Sequence, residues 1–343
     1  MLNISINAIA GRCAGNSVIR RLKYATVLVS LLLTGMVAIQ APAASARATP
    51  RAGGIPFGLF QSSNNLQYTF RVTPAYAIQY YGWHEAFKVA DARVAWSRGT
   101  ETFAELQTCG NPCGSTGIPV PSVTAGDYDA YLSRFATSVR AFGHPVMLTF
   151  DHEMNGGWYP WGASTVTPAQ WIAAWQHVTA LVSSIAPNVT WVWAPNIERG
   201  AAALSSYWPG NGYPDPHVNV IGLDGYFRDS GSTWANTFAK SVADALAVGA
   251  GRYPFLVAEA GVPSADSDGA AQIRNLVAGA RAARAMALMY FDSGRQWTLT
   301  SADQSEFLRE VAGASRPRRP NPFRLFGLLR RIAGTRAPWR LPI

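Results

Sequence analysis

Charge is scarce in this 343-residue chain, where Asp, Glu, Lys and Arg together make up 14%. Apolar residues make up 48% and aromatics 12%, which excludes a disordered chain and leaves enough for one large core or two ordinary ones. Histidine and cysteine are scarcer still, at five and three. No HExxH and no CxxC occurs, and His84, His144, His177 and His217 are scattered, so the spacings of zinc sites are missing. No resident metal and no cofactor is expected. Cys13 lies in the N-terminal segment, which leaves Cys109 and Cys113 in CGNPC. That pair either closes a small loop disulfide, worth about 2 kcal/mol by loop entropy, or remains two free thiols. A glycine-rich phosphate turn is also missing, because Gly53, Gly54 and Gly58 flank the first candidate strand instead of following it.

Acid is absent from both ends. Residues 1–48 carry five basic residues and no acid, and residues 313–343 carry eight arginines and no acid. Removing those thirteen charges from the total of +9 leaves −4 for residues 49–312, so the body has no electrostatic footprint for nucleic acid. Arg12, Arg20, Arg21 and Lys23 precede an apolar run from Tyr24 to Ile39 and then APAASARA, the pattern of a secretory signal cleaved after Ala46 or Ala48. The run is short of the roughly 20 residues that span a bilayer. Three parts are therefore expected: a signal segment over 1–48, a catalytic domain over 49–312 and a basic tail over 313–343. In the tail, Leu325, Phe326, Leu328, Leu329 and Ile332 would share a helical arc of roughly 160° opposite Arg324, Arg330 and Arg331. Such a face suits an anionic membrane or a cell-wall polymer, and a disordered extension is the alternative. Nothing in the sequence sets an oligomeric state.

Eight short apolar runs fit strands buried on both faces: 55–60, 75–81, 102–108, 145–153, 189–196, 219–227, 254–262 and 286–292. Helical patterns alternate with them, among them TPAQWIAAWQHVTALVSSIA with Thr167 as cap, and DGAAQIRNLVAGARAARA with Asp268 as cap. Eight such units over about 260 residues predict a (β/α)8 TIM barrel, an α/β fold.

Active sites of such barrels lie at the C-terminal ends of the strands. There the sequence places Asp151, His152 and Glu153 on strand four, Asp224 and Tyr226 on strand six, Glu259 on strand seven and Asp292 on strand eight. Two glutamates across one rim suit glycoside hydrolysis, with one acid protonating the leaving oxygen and one carboxylate attacking. Glu153 lies among tryptophans, where desolvation raises its pKa, as the acid needs; Glu259, in AEAG, has small neighbours that admit a sugar ring. Asp151, His152 and Glu153 make a poor metal set, because adjacent strand residues face opposite ways. Trp158, Trp161, Tyr226 and Trp297 follow strands and could stack on sugars, whereas Trp171 and Trp175, four apart on a helix, read as core. Of Trp191 and Trp193, one is expected to face the barrel and one the helices.

HEMNGGWYPWG, together with WPGNGYPDPHVNVIGLDGY, PFLVAEAG and MYFDSGRQW, resembles glycoside hydrolase family 26, best known for β-1,4-mannanases. The resemblance runs over roughly residues 75 to 300. It implies Glu153 as acid/base, His152 and Trp158 at the catalytic subsite, Asp224 and Tyr226 touching substrate and nucleophile, Glu259 as nucleophile and Trp297 at the end of strand eight. It also implies a polysaccharide substrate, cleaved with retention: mannan most commonly, with xylan and mixed-linkage glucan as alternatives. Where many members carry tryptophan on the third strand, this chain has Glu105 and Gln107 in TFAELQTCGNPCG. A catalytically silent carbohydrate-binding barrel is the rival reading.

Overall fold

The computed structural model describes residues 54–61, 73–264 and 268–312; the expected signal segment and the basic tail lie outside them. Eight parallel strands close into a barrel in sequence order. They are β1 (Phe57–Gln61), β2 (Tyr76–Tyr81), β3 (Glu101–Leu106), β4 (Val146–Phe150), β5 (Val189–Trp193), β6 (Val220–Tyr226), β7 (Phe255–Gly261) and β8 (Leu288–Asp292). Closure is made by β1 against β8, from Phe57 opposite Leu288 to Gln61 opposite Asp292.

Period-2 alternation sorts the strand side chains into two cores. Phe103, Met147, Val192, Leu256 and Met289 pack together inside the barrel. Leu148, Ile221 and Val257 face outward against helix residues such as Val178 and Leu276. Each fully buried side chain of this size contributes roughly 1.5–3 kcal/mol. Trp171 and Trp175 stack at 5.2 Å in the outer core, as their helical spacing implies. Trp191 and Trp193 both join that outer core, with Val192 between them inside. The expected split between them fails because residues two apart on a strand share a face.

The helix Pro168–Ile185 begins with a capping box, in which Thr167 accepts from Gln170 and the Gln170 side chain returns to the Thr167 backbone. Asp268, by contrast, makes no side-chain cap to the helix Gly269–Ala282. The helical pattern after β6 divides at Phe238 into Trp234–Thr237 and Ala239–Val248.

β4 stops three residues earlier than its apolar run suggests. Asp151 (φ 48°) and Glu153 (φ 51°) both take the left-handed backbone that side chains disfavour, at about 1 kcal/mol or more each. Both ends of this turn are tied down. The Asp151 carboxylate accepts from the Thr108 amide at 2.8 Å and from its hydroxyl at 3.0 Å, which fixes the turn to the end of β3. The Glu153 amide donates to Ala194 O at 2.8 Å, beyond β5. Consecutive side chains therefore leave in different directions, and a run that reads as a strand becomes a corner.

Candidate active site

A cavity of about 950 Å3 opens at the C-terminal ends of the strands, and both Glu153 and Glu259 line it. Trp158 Nε1 donates to Glu153 Oε2 at 2.6 Å, and Asn196 Nδ2 donates to Oε1. Asn196 is itself held by Asn155, whose side chain accepts the Asn196 amide at 2.8 Å and donates to the Asn196 carbonyl at 2.8 Å. Burial raises the pKa of Glu153, opposed by the Trp158 and Asn196 hydrogen bonds and by the charge of Arg228.

Glu259 leaves β7 opposite Asp224 of β6, just past an irregularity in their register. Tyr80 OH, from the end of β2, donates to Glu259 Oε1, and Tyr226 OH, from the end of β6, donates to Oε2. Burial pushes Glu259 up to about 8. The two phenols oppose that rise, since each donates to the charged form. One carboxyl thus sits between two nitrogen donors and the other between two phenols, in a single cleft.

A model of glycosyl hydrolase family 26 matches residues 122–263, a span that includes both carboxyls and their donors Trp158, Asn196 and Tyr226. Over that span the chain is similar to glycosyl hydrolase family 26. It is 34% identical over 119 residues to Endoglucanase H of Acetivibrio thermocellus, a match covering 32% of this chain and 13% of that protein. Over 113 residues it is 27% identical to the mannan endo-1,4-beta-mannosidase of Bacillus subtilis, covering 30% of each. The chain thus aligns with less than a third of these relatives' lengths. Among solved structures, it resembles an endo-beta-1,4-mannanase double mutant from Cellulomonas fimi with a TM-score of 0.58 at 18% identity, covering 76% of this chain and 70% of that one. The family 26 beta-mannanase of Bacteroides ovatus superposes with a TM-score of 0.57 at 15% identity, covering 76% and 88%. At these identities the likeness concerns the barrel.

Five of the seven site residues read from the sequence line the cleft: Glu153, Glu259, Trp158, Tyr226 and Trp297. Trp158 is 48% exposed on the cleft wall. Trp297 packs on Tyr226 at 4.7 Å. Trp161, expected as a platform, is instead fully buried, stacked on Tyr159 at 4.4 Å and donating to His152 O.

His152 and Asp224 lie in the floor below. The His152 ring sits beneath Tyr80 and Tyr159, with Nδ1 3.1 Å from Glu105 Oε2. Burial pushes its pKa down to about 3, so the ring is neutral at ordinary pH, and burial drives Glu105 well above the carboxylate range. Asp224 is fully buried, and burial together with the charges of Glu105 and Glu153 holds its pKa well up.

Tyr80, Asn155, Asn196 and Arg228 complete the site without having been singled out in the sequence. Tyr80 and Asn196 end the runs AYAIQYY and VTWVWAPN, so the strand-end rule could have found them. Cys109 and Cys113 are bridged, and the closed loop brings Asn111, Pro112 and Cys113 to the cleft wall. Asn111 Nδ2 donates to the Tyr80 carbonyl at 2.9 Å, tying that loop to one of the two phenol-bearing residues.

Proposed function

We propose that this protein is an exported, retaining endo-β-1,4-glycanase with β-mannan as its main-chain substrate. Glu153 is the acid/base and Glu259 the nucleophile. The observation that carries this reading is the pair of carboxyls in one cleft, each clasped by its own two donors. Both donors to Glu153 are N–H groups, so a proton added to this carboxyl meets no acceptor from Trp158 or Asn196 and is free to face the cleft. There it passes to the glycosidic oxygen while Glu259 attacks the anomeric carbon, forming a glycosyl-enzyme and releasing the leaving chain as an alcohol. Glu153, now ionised, takes a proton from water, which displaces Glu259 and restores both carboxyls with net retention. The Tyr80 and Tyr226 phenols favour the ionised form of Glu259 that attack requires, against the burial that raises its pKa.

The mannan backbone is supported by the mannosidase and mannanase names among the relatives. A second reading, a β-glucan backbone, is favoured by the higher identity to Endoglucanase H. Export is supported by the basic-then-apolar leader and by the Cys109–Cys113 bridge, a bond of oxidising compartments. Reducing-end release from mannan, glucomannan, xylan and mixed-linkage glucan, with wild type beside Glu153→Ala and Glu259→Ala, tests the assignment. One backbone should be cut, and each variant should lose at least roughly 10²–10⁴ of the rate. A wild type that binds a polymer and cuts none would leave the silent binding barrel in its place.

A further inference from the structure

The floor beneath Glu259 gathers two acids and a histidine that could each bind a cation. Glu105, His152 and Glu259 each offer a ligand atom, and no two of those atoms are more than 4.8 Å apart. They come from β3, the corner after β4, and β7, so no short sequence motif joins them. Glu105 and His152 are each only 1% exposed, and neither Glu105 Oε2 nor His152 Nδ1 makes a hydrogen bond of good geometry. Asp224 lies in the same floor, fully buried and repelled by the charges of Glu105 and Glu153. Neither arginine nor lysine enters this floor among the described residues; the cation acting on Glu153 is Arg228, which is exposed at the rim.

We propose that Glu105, His152 and Glu259 form a binding site for a divalent transition-metal ion such as Zn2+ or Co2+, and that an ion held there blocks the cleft by occupying the nucleophile. Bonds of about 2.1 Å place neighbouring ligands of one ion roughly 3.0–3.4 Å apart and opposite ligands about 4.2 Å apart. The 3.1 Å between His152 Nδ1 and Glu105 Oε2 already suits two neighbouring ligands. Glu259 lies within 4.8 Å of the other two ligand atoms, so its carboxylate closes on the ion by swinging inward, giving up part of its contact with Tyr80 or Tyr226. One imidazole with carboxylates selects Zn2+, Co2+ or Cu2+ over Ca2+ and Mg2+, which prefer an all-oxygen shell. The ion is not a catalytic partner. It competes with substrate because it takes the oxygen that must attack.

Binding is read independently of activity; only the inhibition rests on the reading of Glu259 as nucleophile. The protein is stripped with chelator, desalted and titrated with Zn2+ by calorimetry at pH 7. The background is His177→Ala, which removes the His177–Asp129 pair, a competing site. One ion per chain is expected, with affinity falling at least 10-fold in Glu105→Gln, whose melting temperature is checked alongside. In the same His177→Ala background, Co2+ should give strongly shifted proton resonances of one histidine ring. On the polymer that is cut, Zn2+ should raise KM and leave kcat unchanged. No binding up to millimolar Zn2+, or equal affinity in Glu105→Gln, would overturn the site and leave protons alone neutralising the floor. If no polymer is cut, the calorimetry and the Co2+ spectrum still decide the metal site, and the proposed function alone falls.

Discussion

Replacing Glu101 by Gln should make the protein less sensitive to alkali. Glu101 opens β3 on the side that Phe103 occupies inside the barrel; it is 2% exposed, and neither carboxylate oxygen has a hydrogen bond. Burial alone raises its pKa to about 8 from the ordinary 4.5. The folded state therefore keeps a proton that the unfolded chain releases once pH passes 4.5. Stability from this proton is complete below about 4.5 and is lost progressively as pH rises toward 8. At about 1.4 kcal/mol per pH unit, the loss between pH 5 and 8 is about 3 kcal/mol. Glutamine carries no such proton and shows no such loss. For a domain of this size 1 kcal/mol moves Tm by roughly 2–4 °C. Scanning calorimetry of both proteins at pH 5, 6, 7 and 8 should thus show Tm of Glu101→Gln gaining roughly 6–12 °C on wild type across the series. A difference that stays flat with pH would show that Glu101 is ionised in the fold, with a partner or water that stabilises the charge.

Three further outcomes follow from the site. Tyr80→Phe or Tyr226→Phe removes a donor to ionised Glu259, which raises its pKa, so the acidic limb of the kcat/KM profile should move to higher pH. Asn155→Ala frees Asn196 and leaves buried groups unpaired, costing about 1–3 kcal/mol in denaturant unfolding and lowering kcat more than it changes KM. Trp158→Ala and Trp161→Ala, three residues apart, should separate cleanly. The exposed Trp158 should lose kcat/KM with little change in Tm, while the buried Trp161 should lose about 3–5 kcal/mol of stability.

The barrel was legible because its strands are continuous apolar runs broken at turn residues, and each of the eight runs appears as a strand. Glu153 and Glu259 were legible as cleft residues because a barrel delivers the C-terminal ends of its strands to one rim, where two acids face a common cavity. The corner at Asp151 was not, since nothing local announces a left-handed backbone held by Thr108, 43 residues away in sequence. Trp161 misled because it belongs to an aromatic motif of which only part faces the ligand; burial separates it from Trp158, and burial is a tertiary property. Asn155 and the Glu105–His152 pair depend on neighbours brought together by barrel closure, which no sequence window contains. The Trp191 and Trp193 expectation failed for a different reason, an error of strand periodicity rather than missing information.

The two carboxyls differ in how free they are to evolve. Glu259 takes its donors from β2 and β6, so its ionisation belongs to the barrel and is insulated from changes in the surrounding loops. Glu153 takes one of its two donors from Trp158, on the loop that also presents an exposed aromatic side chain at the cleft. On the proposed function, a graft of that loop made to accept a different sugar would retune the Glu153 carboxyl at the same stroke. Redesign of specificity here should therefore be sought first on the Cys109–Cys113 wall, which borders the cleft without bonding to Glu153.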